Sequence, residues 1–386
     1  QNTVPEKINF MNSSYFDEIY HPRTAYEYVH GLDVYEWTHP PLGKWFIALG
    51  MKIFGVCPFG WRFMGTMFGV LMLPLIYVIA KKMFGKSVYA GLTCGMFALD
   101  FMHFVQTRIA TIDVYVAMFI MLMYFFMYLY YSSEFKDLKK DNCKNGTESI
   151  ENITDKENND EQDFEVSYNR YTKKLWKYLV ASGISMGLGC ASKWTGCYAA
   201  VGLAIVFFTT VFKRANEYKI AKANIDGETN GIKHAHVVKV FKGNLIKTLL
   251  FCVVAFILIP AIIYTLSYIP FVGADDAPTS LIGRMLKNQE MMFNYHSNIE
   301  FEHGYSSKWY EWALMIRPIF YYSGEVSETL RQGISSFGNP LVWWFGIPAF
   351  VYVVYRFLFK KDRKLDFDDE DDDDELNEYT IRGVNS

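Results

Sequence analysis

The sequence predicts an all-α polytopic membrane protein. Apolar residues make up 51% of the chain and aromatic residues 18%, a composition typical of a protein that spans a bilayer repeatedly. The charged residues are collected into blocks between long apolar stretches, whereas a soluble chain would distribute them along amphipathic segments. The net charge is only -3, which gives no reason to expect nucleic acid as a partner.

Apolar stretches that approach the about 20 residues needed to cross a bilayer as a helix occur seven times. Lys193 divides the fourth stretch from the fifth with almost no loop between them. Pro260 and Pro348 predict kinks, which spanning helices tolerate. The predicted spans cover residues 61–83, 88–105, 112–131, 175–191, 195–212, 245–268 and 341–359.

The distribution of Lys and Arg predicts the orientation of these spans. The hairpin at 81–86, the segments 132–174 and 213–243, and the tail 360–386 hold most of the basic residues, so we expect them to be cytoplasmic. The resulting organisation is an outer loop with an acidic motif and juxtamembrane helices, a bundle interrupted by those two insertions, an outer aromatic-rich loop, a last membrane helix and a cytoplasmic acidic tail. These parts cover residues 1–60, 61–268, 269–338, 339–359 and 360–386.

The ends of the chain and its polar insertion lead to three further expectations. The chain does not begin with Met and no signal peptide opens it, so we expect a fragment that lacks spans at one or both ends. Residues 141–165 are rich in Asn, Asp, Glu and Lys and are predicted to be disordered, and the glycosylation sequons at Asn145 and Asn152 fall there by chance. The six cysteines lack any CxxC pair and are interpreted as packing residues.

Ionisable residues gather at the predicted outer ends of the spans. Charges are costly in a bilayer, so such residues are candidates for a functional site. One alternative remains open for the basic ones, whose side chains could simply snorkel to lipid headgroups. Convergence of several cations beside a carboxylate pair favours a site. The set comprises Asp17, Glu18, His21, His39, Lys44, Arg62, Asp100, His103, Arg108, Asp113 and Lys193.

These residue types suit sugar transfer from a lipid phosphate. A sugar carried on a polyprenyl phosphate leaves as a phosphate, which requires fixed cations to hold the leaving group. A carboxylate must also accept the proton of the attacking hydroxyl, and a single base opposite the leaving phosphate inverts the sugar. Adjacent Asp17 and Glu18 point in different directions, so one can be the base while the other orients.

Five motifs resemble the protein O-mannosyltransferase family: FDEIYH, WTHPPLGKW, GWRFMG, TRIATIDVY and GCASKWTG. The resemblance spans most of residues 1–360 and implies the membrane-embedded GT-C fold and a dolichyl or polyprenyl phosphate sugar donor. It implies that Asp17 is the catalytic base, with Glu18 beside it. It also implies that Arg62 and Lys193 lie near the donor phosphate, and that Arg108 and Asp113 match an Arg-to-Asp pattern of the family.

One departure places the chain closer to bacterial members of that family. Eukaryotic members carry a folded MIR domain in an outer loop, and the segment 269–338 is too short for one. It is rich in aromatic residues and contains His296 and His303, which we expect to contact or support the substrate, as we do for His39, Lys44 and Asp113. Trp and Tyr in this segment also suit the membrane interface. A metal held by His296 and His303 is an alternative that their spacing does not favour.

The sequence therefore predicts an inverting transferase that moves mannose from a polyprenyl phosphate to Ser or Thr of exported proteins. We expect it in a bacterial plasma membrane, with its site on the extracytoplasmic face and membrane lipid around it. We expect no cofactor and no metal. Two alternatives stay open: a related GT-C enzyme that modifies a lipid or glycan, and a transporter. A transporter would place charges near the membrane midplane, whereas here they gather at one face.

Overall fold

The computed structural model describes residues 7–133, 175–223, 231–271, 280–298 and 304–359. Helices dominate these residues, and four of them are long and apolar enough to cross a membrane. The prediction of a polytopic helical membrane protein is thus confirmed. The four helices are Pro58–Phe84, Asp113–Ser132, Thr195–Ala223 and Val238–Leu266. The predicted disordered insertion, the acidic tail, Cys143 and His303 lie outside the described residues.

The described part of residues 1–60, predicted to be an outer loop with juxtamembrane helices, contains three helical segments. A short 3-10 helix, Phe16–Ile19, leads into α1, His21–His30, and then into α2, Leu42–Phe54, which packs against α1. Pro22 lies in the first turn of α1, where its missing N–H costs nothing, and Gly31 ends the helix with a left-handed φ of 64°. α2 is apolar but only 13 residues long, too short to span a bilayer upright.

The next part contains a correction to the predicted spans. α3, Pro58–Phe84, agrees with the prediction, but residues 88–105 form two helices, α4 (Ser87–Ala98) and α5 (Phe101–Gln106). The break occurs because the Asp100 side chain caps α5 and accepts from the His103 amide at 3.0 Å. Helix α6, Asp113–Ser132, follows and packs against α3.

The segment that was expected to be a cytoplasmic insertion at 213–243 is largely helical. Residues 175–192 form α7, and α8, Thr195–Ala223, continues well past the predicted end of its span. After residues outside the described part, α9, Gly231–Val253, leads through a π-helical turn, Val254–Leu258, into α10, Ile259–Leu266. The π-helical turn ends at Leu258, two residues before Pro260, which has no N–H to donate to the regular helical ladder.

The aromatic-rich segment 269–338, predicted to be an outer loop, contains regular structure that the sequence did not predict. It forms α11, Leu281–Ser297, a 3-10 turn, Trp309–Glu311, and an antiparallel hairpin of β1, Ile319–Glu325, and β2, Arg331–Ser336. The description of this segment as a loop was therefore wrong. α12, Pro340–Phe359, ends the described chain.

Close helix contacts hold the bundle together. One buried cluster joins α2, α3 and α6 through residues such as Ile47, Met64 and Tyr115, and a second joins α6, α7 and α8 through Met127, Leu179 and others. Gly183 on α7 faces the Ala255 carbonyl so closely that a Cβ there would collide with it. Such small-residue contacts are how membrane helices approach one another. Every cysteine of the described residues is free.

Candidate active site

Glu18 is locked in place by the groups around it. Its side chain is buried and forms a two-point ion pair with Arg62, with Nε to Oε1 at 2.7 Å and Nη2 to Oε2 at 2.6 Å. The Ala110 amide also donates to Oε1 at 2.9 Å. A carboxylate held by a bidentate guanidinium and a backbone amide is a strong, directional anchor. Glu18 therefore joins the acidic motif to α3 and to the turn before α6.

The Arg62 guanidinium is held by several neighbouring groups. Its Nη2 donates to the Ser13 carbonyl at 2.8 Å as well as to Glu18, and its guanidinium lies 5.1 Å from the centre of the Tyr15 ring. Only 16% of its side chain is exposed. The sequence analysis assigned Arg62 to the donor phosphate, whereas the structure shows it holding the acidic motif. Its direct contact with a phosphate stays a prediction.

We expect Arg62→Lys to disturb this anchor although it keeps the charge. Lysine cannot reproduce the planar two-point contact with Glu18, and charge-assisted hydrogen bonds contribute about 1.5–3 kcal/mol. The variant should lose roughly tenfold or more in turnover and melt at a lower temperature. Arg23→Lys is the matched control, because Arg23 pairs with Glu27 while its own side chain is 55% exposed. Equal turnover and melting in wild type and Arg62→Lys would show that the anchor is dispensable.

The surroundings of the Asp17 carboxylate differ from those of Glu18. The carboxylate is half-buried and, among the described residues, has no hydrogen bond or ion pair. The residue before it, Phe16, adopts a left-handed φ of 52°, which is strained for a side chain of that size and common at functional sites. Burial raises the pKa of Asp17 to about 6, with the negative charge of Asp113 adding to the effect and Lys193 opposing it. A half-buried carboxylate with a raised pKa has the properties that general-base catalysis requires.

Lys193 and Asp113 form an ion pair at this site. Lys193 lies between α7 and α8, Asp113 opens α6, and Nζ lies 2.6 Å from Oδ1. About a quarter of the Lys193 side chain, 24%, remains exposed. Because both residues influence the pKa of Asp17, the pair lies near the acidic motif. Lys193 can therefore offer a fixed positive charge to an anion beside Asp17.

Arg108 behaves differently from the other two predicted cations. Its side chain is exposed and stacks on Phe104, with the guanidinium carbon 3.6 Å from the ring centre. Arg108 and Asp113 belong to the same sequence motif, but Asp113 pairs with Lys193. Within the described residues Arg108 makes no ion pair, so it stays available to an anion.

Lys44 and Glu36 form a buried ion pair close to His39. Lys44 is completely buried, contacts the Glu36 carboxylate, and donates to the Glu36 and His39 carbonyls at 2.7 and 3.2 Å. Burial would raise the pKa of Glu36, but Lys44 outweighs this and holds that pKa at about 2. The buried amine of Lys44 therefore holds the turn at His39, which is followed by Pro40 and Pro41, and its role in supporting the substrate stays a prediction.

His39 and His296 face each other across two distant parts of the chain. Their ring centres lie 5.8 Å apart, and His296 Nε2 lies 3.0 Å from the Thr38 carbonyl. The Trp194 ring lies 6.0 Å from that of His296, which links the pair to the turn containing Lys193. Burial lowers the pKa of His39 to about 4, so the ring is neutral near neutral pH. The predicted grouping of His39 and His296 near the site is consistent with this geometry.

A chain of hydrogen bonds that sequence reasoning missed supports this region. It runs from Trp194 Nε1 to Tyr264 Oη at 3.2 Å, on to Gln289 and Tyr268, and ends with Asn288 Nδ2 donating to the Trp37 carbonyl at 3.0 Å. These hydrogen bonds connect α10 and α11 to Trp37, which lies just before the HPP sequence at residues 39–41. Polar residues of α11 at positions 288 and 289 were the available signal, but their partners are distant in sequence.

The hairpin contributes a second group that the sequence did not reveal. The Tyr321 ring lies 4.5 Å from Phe16, and its hydroxyl donates to Gln106 Oε1. Burial raises the pKa of Tyr321 to about 12, and the charges of Asp113 and Asp17 contribute, so the phenol lies near both carboxylates.

Two other candidates are structural. The Asp100 carboxylate caps α5 and also accepts from the Asn339 amide and from Trp343 Nε1, each at 3.0 Å, so it ties α5 to the start of α12. His103 Nε2 lies 3.2 Å from the Gly69 carbonyl on α3. Within the described residues no cluster of His, Cys, Asp and Glu has the arrangement of a metal site.

An unpaired carboxylate near a fixed cation, carried on helices long enough to cross a membrane, is compatible with group transfer, and the comparisons identify the class as membrane glycosyltransferases. Three family models match successive parts of it. "Dolichyl-phosphate-mannose-protein mannosyltransferase" describes the models over residues 38–138 and 163–271, and "C-terminal four TMM region of protein-O-mannosyltransferase" the one over 281–384. The chain belongs to the protein O-mannosyltransferase family.

Bacterial relatives extend this likeness over most of the chain. A polyprenol-phosphate-mannose--protein mannosyltransferase of Mycolicibacterium smegmatis is 24% identical over 90% of this chain and 67% of its own length. Proteins of the same name from Corynebacterium glutamicum and Mycobacterium tuberculosis are 24% and 22% identical over 84% of this chain. The chain covers 62% and 61% of their lengths.

Proposed function

We propose that the protein transfers mannose from a polyprenyl phosphate to hydroxyl groups of Ser or Thr in protein acceptors, with inversion at the sugar. The names of the relatives support the donor and the protein acceptor. The observation that carries the proposal is the contrast between the two acidic residues. Asp17 is half-buried and unpaired among the described residues, while Glu18 is anchored by Arg62 and Ala110.

The reaction would need one proton transfer and one displacement. The acceptor hydroxyl oxygen attacks the anomeric carbon while Asp17 takes its proton, and the bond from that carbon to the phosphate oxygen breaks. The leaving polyprenyl phosphate carries away the bonding electron pair, and Lys193 stabilises the developing charge. Arg108 is the second candidate for contact with the phosphate, because it is exposed and has no ion pair within the described residues. Attack from the side opposite the phosphate inverts the sugar.

The direct test uses membranes that contain the full-length protein. They are supplied with radiolabelled polyprenyl phosphate mannose and a Ser/Thr-rich peptide, and the product is analysed for mannose and for its anomeric configuration. We expect labelled, inverted O-mannosyl peptide. Transfer of label only to lipid or free glycan would instead support the related GT-C activity, and no transfer to any acceptor would contradict the proposal.

The raised pKa of Asp17 predicts a specific pH profile. The base works only when ionised, so kcat/KM should fall about tenfold per pH unit below a pH of about 6. His39 and His21, whose pKa values are lowered to about 4 and about 3 by burial, should not titrate in that range. The measurement is kcat/KM between pH 5 and pH 8 (about the range where proteins keep maximal stability). A flat profile across this range would contradict the role of Asp17 as a base.

We also propose that transfer needs no divalent metal. A monophosphate donor presents less charge than a diphosphate, and Lys193 with Arg108 can neutralise it. Asp113, the carboxylate next to Asp17, is already paired with Lys193, while hard cations require several free oxygen ligands. Activity should survive thorough chelation with less than about a twofold change. Loss on chelation with recovery on adding Mg²⁺ or Mn²⁺ would make Asp17 a candidate metal ligand.

The site is further proposed to face outward from the plasma membrane of a bacterium. The Lys and Arg distribution supports this orientation, and the relatives are bacterial. In a variant whose six native cysteines are replaced, a cysteine introduced at Ser13, close to Arg62 and the acidic motif, should react with an impermeant thiol reagent applied to intact cells. Reaction only after the cells are broken would reverse the orientation.

A further inference from the structure

The β1–β2 hairpin packs against the acidic motif. Tyr321 packs on Phe16, the neighbour of Asp17, with ring centres 4.5 Å apart. Tyr322 packs edge-on against Tyr15 and Phe10, at 5.8 and 5.5 Å. Two neighbouring tyrosines of β1, Tyr321 and Tyr322, therefore attach the hairpin to the segment that carries the proposed base.

The two strands of this hairpin have different surroundings. β2 pairs with β1 and also packs against α5. β1 pairs with β2 alone, and within the described residues no other strand or backbone group hydrogen bonds to its outer edge. Side chains along its far half, Ser323 and Glu325, are exposed. A row of unpaired N–H and C=O groups is a template for another extended chain.

The irregularity in the hairpin lies next to the site. The register between the strands shifts between Phe320 and Tyr322, which is a bulge beside the Tyr321 contact with the acidic motif. Bulges bend a strand and redirect side chains, and they are common beside active sites. The Tyr321 contact with Phe16 brings β1 close to the acidic motif, so an extended chain paired with this strand would lie near Asp17.

We propose that the acceptor polypeptide adds as a third strand to the edge of β1 that no described residue pairs with, and that this brings it close to Asp17. This proposal rests on the proposed function, since only a polypeptide acceptor offers the complementary main chain. Recognition through main-chain hydrogen bonds supplies affinity with little dependence on acceptor side chains. The edge would therefore admit varied sequences, provided that they are extended and free of bonds to other strands.

The decisive probe is a series of acceptor peptides that each carry one N-methylated amide. In a paired strand, alternate residues direct their N–H toward the partner, so methylation should matter at every second position. We expect kcat/KM to fall about tenfold at alternate positions beside the acceptor Ser or Thr and to change less than about twofold at those between. The unmodified peptide and the tolerated positions are internal controls. Uniform tolerance, or losses that do not alternate, would overturn the proposal.

Hydrogen exchange provides a measurement that does not depend on turnover. Asp17→Asn protein is saturated with the unmodified peptide, and amide exchange of residues 319–325 is compared with that of 331–336. We expect slower exchange in β1 and no change in β2, which would not pair with the peptide. Peptide binding that protects neither strand would refute edge pairing. Edge protection without any mannose transfer by wild type would instead refute the proposed function and leave a peptide-binding hairpin.

Discussion

Replacing Asp17 by Asn is expected to lower turnover by at least about a hundredfold, the lower end of the range for general-base catalysis. The substitution preserves size and removes the proton acceptor. Because the Asp17 carboxylate has no hydrogen bond or ion pair among the described residues, no packing interaction should be lost with its charge. Turnover and the donor Michaelis constant are measured with labelled polyprenyl phosphate mannose, and the latter should change little.

The design of this experiment separates a catalytic effect from an effect on folding. Asp33→Asn is the matched control, because Asp33 is an exposed acid of the same outer segment. Both variants should melt at the wild-type temperature, and only Asp17→Asn should lose activity. Replacement of Glu18 by Gln should instead lower the melting temperature, since it weakens the pair with the buried end of Arg62. A folded Asp17→Asn protein with wild-type turnover would remove Asp17 from the mechanism.

The membrane class and much of the candidate site could be predicted because they depend on local sequence. Apolar stretches of bilayer length identified α3, α6, α8 and the helix ending at Leu266. The Asp17–Glu18 pair and the Lys193 turn were recognisable as motifs. The different environments of Asp17 and Glu18 could not be predicted. They depend on which carboxylate contacts Arg62, and that contact joins residues 44 positions apart in the chain.

The errors have equally physical reasons. The break between α4 and α5 depends on Asp100 capping a helix and bonding to Trp343, 243 positions away, rather than on any loss of apolar character. The hairpin was missed because its strands, IFYYSGE and RQGISS, show little alternation and are stabilised by Tyr321 and Tyr322 packing on the acidic motif. Helices at 213–223 and 231–243 extend beyond the apolar stretches, where hydropathy gives no signal.

Lys44→Met is expected to cause the largest loss of stability. Lys44 is fully buried on α2 against the Glu36 carboxylate, and it also donates to the Glu36 and His39 carbonyls. Removing one partner of a buried ion pair leaves an uncompensated charge and costs about 3–5 kcal/mol. We expect a clearly lower apparent melting temperature in detergent or nanodiscs, and reduced activity because the turn that carries His39 loses its anchor.

The control and the double variant distinguish this mechanism from general damage to α2. Lys52→Met lies on the same helix but at an exposed position, so its melting temperature should match that of wild type. Adding Glu36→Gln to Lys44→Met removes the orphaned charge, and the pair of substitutions should therefore melt higher than Lys44→Met alone. If the double variant is no more stable than the single one, the cost arises from lost packing and backbone hydrogen bonds rather than from an unpaired carboxylate. Lys44→Met protein that melts with wild type would contradict the buried pair itself.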